Sequence, residues 1–193
     1  MMKTNNEKSI RSFIGLEPDV SLKRLLKAAV ENYQQESWAE QIHWSDVDNW
    51  HMTLKFLHHA SQVQLDQLTD NLEKRLALQR SSGFQLKLKV SNTGIFPSPQ
   101  RPVAIVAHVE SNPNLQLLLN VLEDAASNCG FKPEVREFKG HITLGRCRNT
   151  FNPAQKVENF LLNNVCQVSD LFLFKSEVSS HGTLYPKLKK FSL

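Results

Sequence analysis

Two tetrapeptides of the same spelling, His51-Met52-Thr53-Leu54 and His141-Ile142-Thr143-Leu144, stand 90 positions apart in a chain of 193 residues. One His-x-Thr-Leu arises by chance in roughly three of a hundred chains of this composition, and a pair in fewer than about one in a thousand. Imidazole titrates near pH 6.5, so one histidine can rest neutral as a base while another rests charged as an acid. On an extended strand residues i and i+2 share a face, which sets each threonine hydroxyl beside its imidazole. Two such pairs across a groove surround one point with a base, an acid and two hydroxyl donors. An in-line displacement at phosphorus needs that set, and no metal enters the scheme.

The flanking residues must supply the geometry. Residues 50–57 alternate as a strand, with Met52, Leu54 and Phe56 on one face and His51, Thr53 and Lys55 on the other. Residues 139–147 do the same, Ile142 and Leu144 facing the core while His141 and Thr143 face away with Lys139 beside them. Strict alternation puts Arg146 on the wrong face, so it reaches the histidines only if the strand bulges or twists near Gly145.

Around these strands the apolar spacing predicts helices. One follows Pro18 with Asp19 or Ser21 as its cap and Leu22, Leu25, Leu26, Ala29 and Tyr33 on one face. A second spans 61–80 on Leu65, Leu68, Leu72 and Leu76. A third opens at Asn112-Pro113 and closes at Cys129-Gly130, and a fourth spans 153–164 on Ala154, Val157, Phe160 and Leu161. Strands are predicted at 10–16, 42–44, 84–93, 103–109, 171–174 and 184–193, and the three prolines of 94–102 predict a stiff loop that continues neither ladder. Lys187, Lys189 and Lys190 add positive charge to the tail.

Helix, motif strand, helix thus occurs twice, the pattern of an internal duplication about a pseudo-twofold axis. The expectation is an α+β fold of two lobes in one domain, 1–193, with the His51 motif in the first half and the His141 motif in the second. Residues 1–9 read as a flexible N-terminus.

A net charge of +4 and a pI near 9.0 favour an anionic ligand such as a phosphate ester or RNA. Cys129, Cys147 and Cys166 are odd in number and form no C-x-x-C pair, which points to reduced thiols rather than disulfides or a zinc ribbon. No apolar run has membrane-span length and no signal-peptide core opens the chain, so the expectation is a soluble, cytoplasmic monomer. Asp46, Asp48, His51, His58 and His59 could be offered as metal ligands, but no helical i, i+4 pair and no counterpart in the second half supports them.

The paired motifs, the opening around Arg11-Ser12-Phe13, the loop Gly94-Ile95-Phe96-Pro97, Arg146, Ser176 and Gly182 to Tyr185 together resemble the two-histidine phosphoesterase superfamily. More narrowly, residues 10–193 resemble the bacterial RNA 2',3'-cyclic phosphodiesterases, also called 2'-5' RNA ligases. The resemblance implies a LigT-like bilobal fold with antiparallel sheets, outer helices and a central groove. It implies hydrolysis of an RNA terminal 2',3'-cyclic phosphate to a 2'-phosphate without a cofactor, and weak reversible 2'-5' joining. On that pattern His51 is general acid to O3', His141 general base to water, and Thr53 and Thr143 hold the phosphate. Arg146, Lys55, Phe13 and Tyr185 join the substrate-binding set, for RNA or oligonucleotide ends and mononucleotides. The chain departs from the pattern at His58-His59, at Gly140 and at Ile105. A non-catalytic nucleotide- or RNA-binding module, and an enzyme for another cyclic phosphate, are the alternative readings.

Overall fold

The computed structural model describes residues 9–152, 157–180 and 182–193. Among the described residues three α-helices form where periodicity and capping agree. In α1 (Val20–Tyr33) the Asp19 carboxylate accepts the Leu22 N–H at 2.7 Å. In α2 (Gln62–Ser81) Ser61 and Gln64 make a reciprocal capping box, and Leu65, Leu68, Leu72 and Leu76 are all buried. Asn112 caps α3 (Pro113–Asn128) with proline in its first turn, and Gly130 follows its end at φ 78°, the left-handed geometry that a glycine allows.

Among the described residues eleven strands fall into two main antiparallel sheets and a hairpin. The first sheet runs β11 (Lys187–Ser192), β8 (Asp170–Lys175), β1 (Ile10–Leu16), β3 (Met52–Ala60). The second runs β2 (Ile42–Trp44), β6 (His141–Cys147), β5 (Arg101–Val109), β4 (Leu86–Ser98), β7 (Leu161–Val168). β9 (Glu177–Ser179) and β10 (Gly182–Leu184) form the small hairpin. The fold is α+β, as expected, and each motif strand belongs to a different sheet. The two lobes exchange elements: β2 of the first half pairs with β6, and the tail strands β8 and β11 complete the first sheet.

β3 lies against β6, and Met52 and Ile142, the middle residues of the two motifs, line one small internal gap with Leu16, Leu22, Val90 and Val109. Both strands therefore turn their apolar sides into one continuous core. α3 packs on β3, α2 on β11 and on α3, and α1 on β7, so the helices are external. No helix among the described residues is long and apolar enough to cross a membrane.

Two expectations need correction. The helix expected over 153–164 is absent from its described part, and its first residues with Ala154 lie outside the described residues. Residues 157–160 are irregular and 161–168 form β7, which pairs with β4 from Leu86↔Val168 to Asn92↔Leu161. Two asparagines and two valines make this stretch a poor helix, and the open side of β4 offers it a complete ladder. Thr93 fixes the entry, its N–H donating to the Phe160 carbonyl and its hydroxyl accepting the Phe160 N–H, both at 3.0 Å. The helix after the motif strand is thus not duplicated.

The proline loop is the second correction. β4 and β5 stay paired through Gly94↔Val106, Phe96↔Ala104 and Pro97↔Pro102 to Ser98↔Arg101. β7 has left β4 by Asn92 and β6 has left β5 by Ala104, so the prolines occupy a hairpin arm where one side of each strand needs no donor. In the basic tail Lys187, Lys189 and Lys190 are paired with Glu17 (2.8 Å), Glu73 (3.2 Å) and Asp170 (2.9 Å). They tie β11 to its surroundings instead of forming an open cationic track.

Candidate active site

The two histidines are held in the same way. His51 Nδ1 lies 2.7 Å from the Asn49 carbonyl, and His141 Nδ1 lies 2.7 Å from the Lys139 carbonyl. A carbonyl only accepts, so Nδ1 carries the hydrogen in both rings and Nε2 is the atom left to exchange a proton. Each tether reaches back two residues along the chain. In the first lobe the turn that supplies the carbonyl is itself secured, Asn49 Nδ2 donating to the Thr183 carbonyl of β10 at 3.2 Å.

Aromatic rings fix the imidazole planes. His51 packs against Phe13 (centroids 4.7 Å), against the edge of Tyr185 (4.6 Å) and against Phe174 (5.8 Å). His141 is stacked on Phe96 at 4.3 Å and 20°. The environments differ in their effect on the proton. Burial pushes the His51 imidazole below its ordinary value; the Asn49 hydrogen bond opposes this, Arg146 and His141 lower it further, and Glu17 raises it. Arg146 and His141 therefore lie within electrostatic reach of His51 across the two lobes.

The strand register settles which neighbours share the face. Opposite Val106 and Ile105 of β5 stand Thr143 and Gly145, with Leu144 left unpaired, which is a β-bulge. Directly paired residues point the same way, and His141↔His108, Thr143↔Val106 and Arg146↔Ala104 fall on one alternating face of β5. The bulge thus brings Arg146 to the histidine side. Gly145 turns inward, where a Cβ would stand 2.5 Å from Ile42 Cγ2 and 2.9 Å from Trp44 Cε3.

β3 carries the same bulge at the same letter of its motif. Gly15 and Ile14 of β1 face Thr53 and Lys55, leaving Leu54 unpaired. Lys55, the counterpart of Gly145, therefore points into the core and Phe56, the counterpart of Arg146, points out beside Phe13. This corrects the expected alternation. Lys55 is only 4% exposed, and its ammonium donates to both Glu123 oxygens (2.9 and 2.8 Å) and to the Lys132 carbonyl (2.9 Å). Its reach is spent on α3, away from the histidines.

His51, Thr53, His141, Thr143, Arg146 and Tyr185 are thus gathered at one place. Among the described residues the two threonine hydroxyls and the Arg146 guanidinium have no internal hydrogen-bond or ion-pair partner, which leaves them for a ligand. Phe13 is 3% exposed, so it supports the His51 ring from beneath and has little surface to offer a substrate. Phe174 and Phe96 escaped the sequence reading, although the alternation of Phe172 and Phe174 and the position of Phe96 before Pro97 were the available signals. His108 and His43 also join this face as cross-strand partners of His141 and Arg146. Burial, with the nearby His141, lowers the proton affinity of His108. His181 lies outside the described residues.

Asp46, Asp48, His51, His58 and His59 do not converge, and among the described residues no three His, Cys, Asp or Glu side chains are close enough to hold a metal. A concavity of about 530 Å³ lined by Gln85, Lys87, Lys89, Glu110, Asn112 and Asn114 lies elsewhere, and its Lys89 and Glu110 already pair at 2.9 Å.

The chain is similar to known proteins over most of its length. Residues 16–106 match the family described as LigT like Phosphoesterase. An RNA 2',3'-cyclic phosphodiesterase of Methanocaldococcus jannaschii is 26% identical over 172 residues, covering 86% of this chain and 92% of the relative. One of Aeropyrum pernix is 28% identical over 148 residues, covering 73% and 80%. Among solved structures, a Thermus thermophilus protein superimposes with TM-score 0.77 at 23% identity over 95% of this chain and 98% of its own. E. coli LigT complexed with 3'-AMP gives 0.74 at 20% identity, over 96% and 98%.

Proposed function

We propose that the chain is a LigT-like phosphoesterase and, more narrowly, an RNA 2',3'-cyclic 3'-phosphodiesterase working by two-histidine acid/base catalysis. His141 Nε2 takes a proton from water as its oxygen bonds to phosphorus. The P–O3' bond breaks, His51 Nε2 delivers a proton to O3', and a 2'-phosphate remains. Thr53, Thr143 and Arg146 donate to the non-bridging oxygens as charge builds on them. These groups supply nucleophile activation, leaving-group protonation and charge stabilisation, so the scheme needs no metal or cofactor. Run in the same direction with a ribose 5'-hydroxyl in place of water, so that the 5'-oxygen bonds to phosphorus as P–O3' breaks, it joins RNA ends 2'-5', weakly and reversibly.

The observation that carries this reading is the matched construction of the two motifs: the same Nδ1 tether, the same Thr at i+2 and the same bulge, on strands from opposite lobes. We read the two sheets with their helices as one phosphoesterase domain whose catalytic set is complete in a monomer. The three free thiols fit a reducing, cytoplasmic setting. Mononucleotide 2',3'-cyclic phosphates are read as minimal substrates, and Tyr185, beside His51, as a substrate contact.

A second reading exchanges the roles. Burial favours neutral His51, and a neutral imidazole is what a base must be. In the leading reading the phosphate's negative charge offsets that burial and holds the proton on His51.

The test is turnover of a 2',3'-cyclic mononucleotide and of an oligonucleotide ending in the cyclic phosphate, in EDTA, with product identified as the 2'-phosphate. His141→Ala should cost roughly a hundredfold to ten-thousandfold in kcat. Absence of hydrolysis by the wild type, or full activity in His141→Ala, refutes the proposal. A non-catalytic binding module gives the first result, and an enzyme for another cyclic phosphate turns over neither substrate.

A further inference from the structure

The polar face of the second sheet does not end at His141. His108 is its cross-strand partner, and the next residue of β5 on that face is Glu110, with Val109 turned into the core between them. Glu110 holds Lys89 of β4 twice, its N–H donating to the Lys89 carbonyl and its carboxylate pairing with the ammonium, both at 2.9 Å. Lys87 follows two residues along β4 and has no ion pair among the described residues. One strip of surface thus runs from His141 over His108 to the concavity of about 530 Å³ lined by Lys89 and Lys87.

Beside His141 the strip is indented. Gly94, paired with Val106 on this face, has no side chain, and a Cβ there would stand 3.0 Å from His108 Nε2 and 3.1 Å from Asn159 Oδ1. Glycine therefore leaves open the space on which two polar atoms converge. Neither side chain has a hydrogen-bond partner among the described residues. Asn159 is nonetheless firmly placed: Tyr33 donates to the Glu158 carbonyl at 2.5 Å on one side of it, and Phe160 on the other is bound twice to Thr93. His108, its proton affinity lowered by burial and by His141, stands neutral and can both donate and accept. Hydrolysis has no use for such a recess, since the water that His141 activates brings nothing else with it.

Resting on the proposed reaction with His141 as base, we infer that this strip is the acceptor site of the joining reaction. The RNA end whose 5'-hydroxyl replaces water lies with its first nucleoside over Gly94, against His108 and Asn159, and with its following phosphates toward Lys87. In an in-line displacement the attacking oxygen and O3' stand on opposite sides of phosphorus. With O3' at His51, the attacking alcohol must come from the side of His141, which is the second sheet. Its 5'-oxygen bonds to phosphorus and yields its proton to His141 Nε2, while the P–O3' bond breaks and His51 protonates O3'. On backbone spacing Lys87 lies roughly 15 Å from His141, two strands over and about four residues along, beyond a nucleoside and within reach of a short oligonucleotide. Lys89 neutralises Glu110, so Lys87 leaves the concavity cationic, the sign that a phosphate needs. Hydrogen bonds thus hold the hydroxyl end of the acceptor and charge holds the rest.

The experiment gives the enzyme an oligonucleotide ending in a 2',3'-cyclic phosphate together with rising concentrations of adenosine or of a triadenylate with a free 5'-hydroxyl. It reads the ratio of 2'-5' joined to hydrolysed product at early times. Both products come from one bound donor, so changes in folding or in His141 cancel in the ratio. In the wild type the ratio should rise with acceptor, more steeply for the triadenylate, and added salt should shrink that difference. His108→Ala should lower the slope for both acceptors by roughly twofold to tenfold, the worth of one hydrogen bond, and Gly94→Ala, which fills the recess, should also lower both. Lys87→Glu should lower the triadenylate slope alone. A ratio that does not depend on acceptor concentration, or that neither Gly94→Ala nor His108→Ala lowers, overturns the inference while hydrolysis leaves the reaction standing. So does a loss in Lys87→Glu of hydrolysis of the oligonucleotide without acceptor, but not of a mononucleotide, which gives the strip to the body of the donor strand. If no donor is hydrolysed the proposed reaction itself fails, and binding of the triadenylate decides instead: weaker binding in Gly94→Ala and Lys87→Glu supports the site, and equal binding overturns it.

Discussion

Substitutions at Lys55 and Glu123 separate a substrate contact from a structural one. In Glu123→Ala the Lys55 ammonium keeps one acceptor, the Lys132 carbonyl at 2.9 Å, and loses its one charged partner, a carboxylate held through both oxygens at 2.9 and 2.8 Å. Removing one member of a fully buried pair costs about 3–5 kcal/mol. The Lys55 side chain is 3% exposed but that of Glu123 is 32% exposed, so water can enter the space left behind and the cost falls to about 3 kcal/mol. Lys55→Met keeps most of the stem and removes the buried charge. It leaves Glu123 with the Glu134 N–H at 3.2 Å and with solvent, which sets its cost near 1–2 kcal/mol. Denaturant unfolding with unchanged slope measures both, and the double variant should be closer to wild type than the two losses added together. The kcat/KM of Lys55→Met at a temperature where it is fully folded should stay within about threefold of wild type, because the ammonium faces α3 and a mutation off the reacting face leaves transition-state contacts intact. A hundredfold loss with normal stability would place the ammonium at the substrate and refute the reasoning from the Leu54 bulge.

The roles of the histidines can be read from a substrate whose 3' bridging oxygen is sulfur, since thiolate leaves without a proton: His51→Ala should regain most of its lost rate on it and His141→Ala should not. The opposite pattern establishes the exchanged roles. Arg146→Ala should lose roughly a hundredfold or more in kcat, the cost of one donor to a developing oxyanion, and Arg146→Lys should recover only part of it because the ammonium cannot fork across two oxygens; full activity in both would show that the Leu144 bulge does not bring Arg146 to the phosphate. Burial holds His51 and His108 below the ordinary imidazole value, so on acidification the unfolded chain takes up protons before the folded one does. Stability is then complete above about pH 6.5 and is lost as the pH falls below it. The drop in melting temperature between pH 7.5 and 5.5 should be smaller in His108→Gln than in the wild type, and an equal drop would remove His108 from that account.

Much of this architecture was legible because local signals agreed with one another. Asp19, Ser61 and Asn112 mark helix starts before runs whose leucines recur at 3.6-residue spacing, and the first-strand pattern of 10–16 ends at a proline. His51, Thr53, His141 and Thr143 could be placed on one face because the stretch from His to Thr precedes each bulge. What could not be read is what lies past Leu54 and Leu144. A bulge inserts an apolar residue into an apolar pattern and leaves no mark in it, yet it inverts the face of the residues directly after it: Lys55 went inward, Phe56 and Arg146 outward. Gly145 alone hinted at it, through a position that no Cβ can occupy. Glu123, the partner that makes burial of Lys55 tolerable, lies 68 residues away, and pairing at that separation is invisible to local pattern. β7 failed for the same reason, since the exposed side of β4 and the hydroxyl of Thr93, 67 residues from Phe160, decided its form.

The Nδ1 tether gives each imidazole an anchor that evolution cannot edit by changing a side chain. Asn49 and Lys139 share no chemistry, and it does not matter, because each contributes only its peptide oxygen. Enzymes that orient a histidine with a carboxylate depend on a third residue whose loss disables them; here the orienting group is built into every amino acid and is lost only by displacement of the chain itself. The proton inventory of the site is thereby protected against drift in its surroundings, and the lobes are free to diverge in everything but path. One lobe has accordingly kept an arginine where the other has a phenylalanine, without either disturbing the ring two turns of the pleat away.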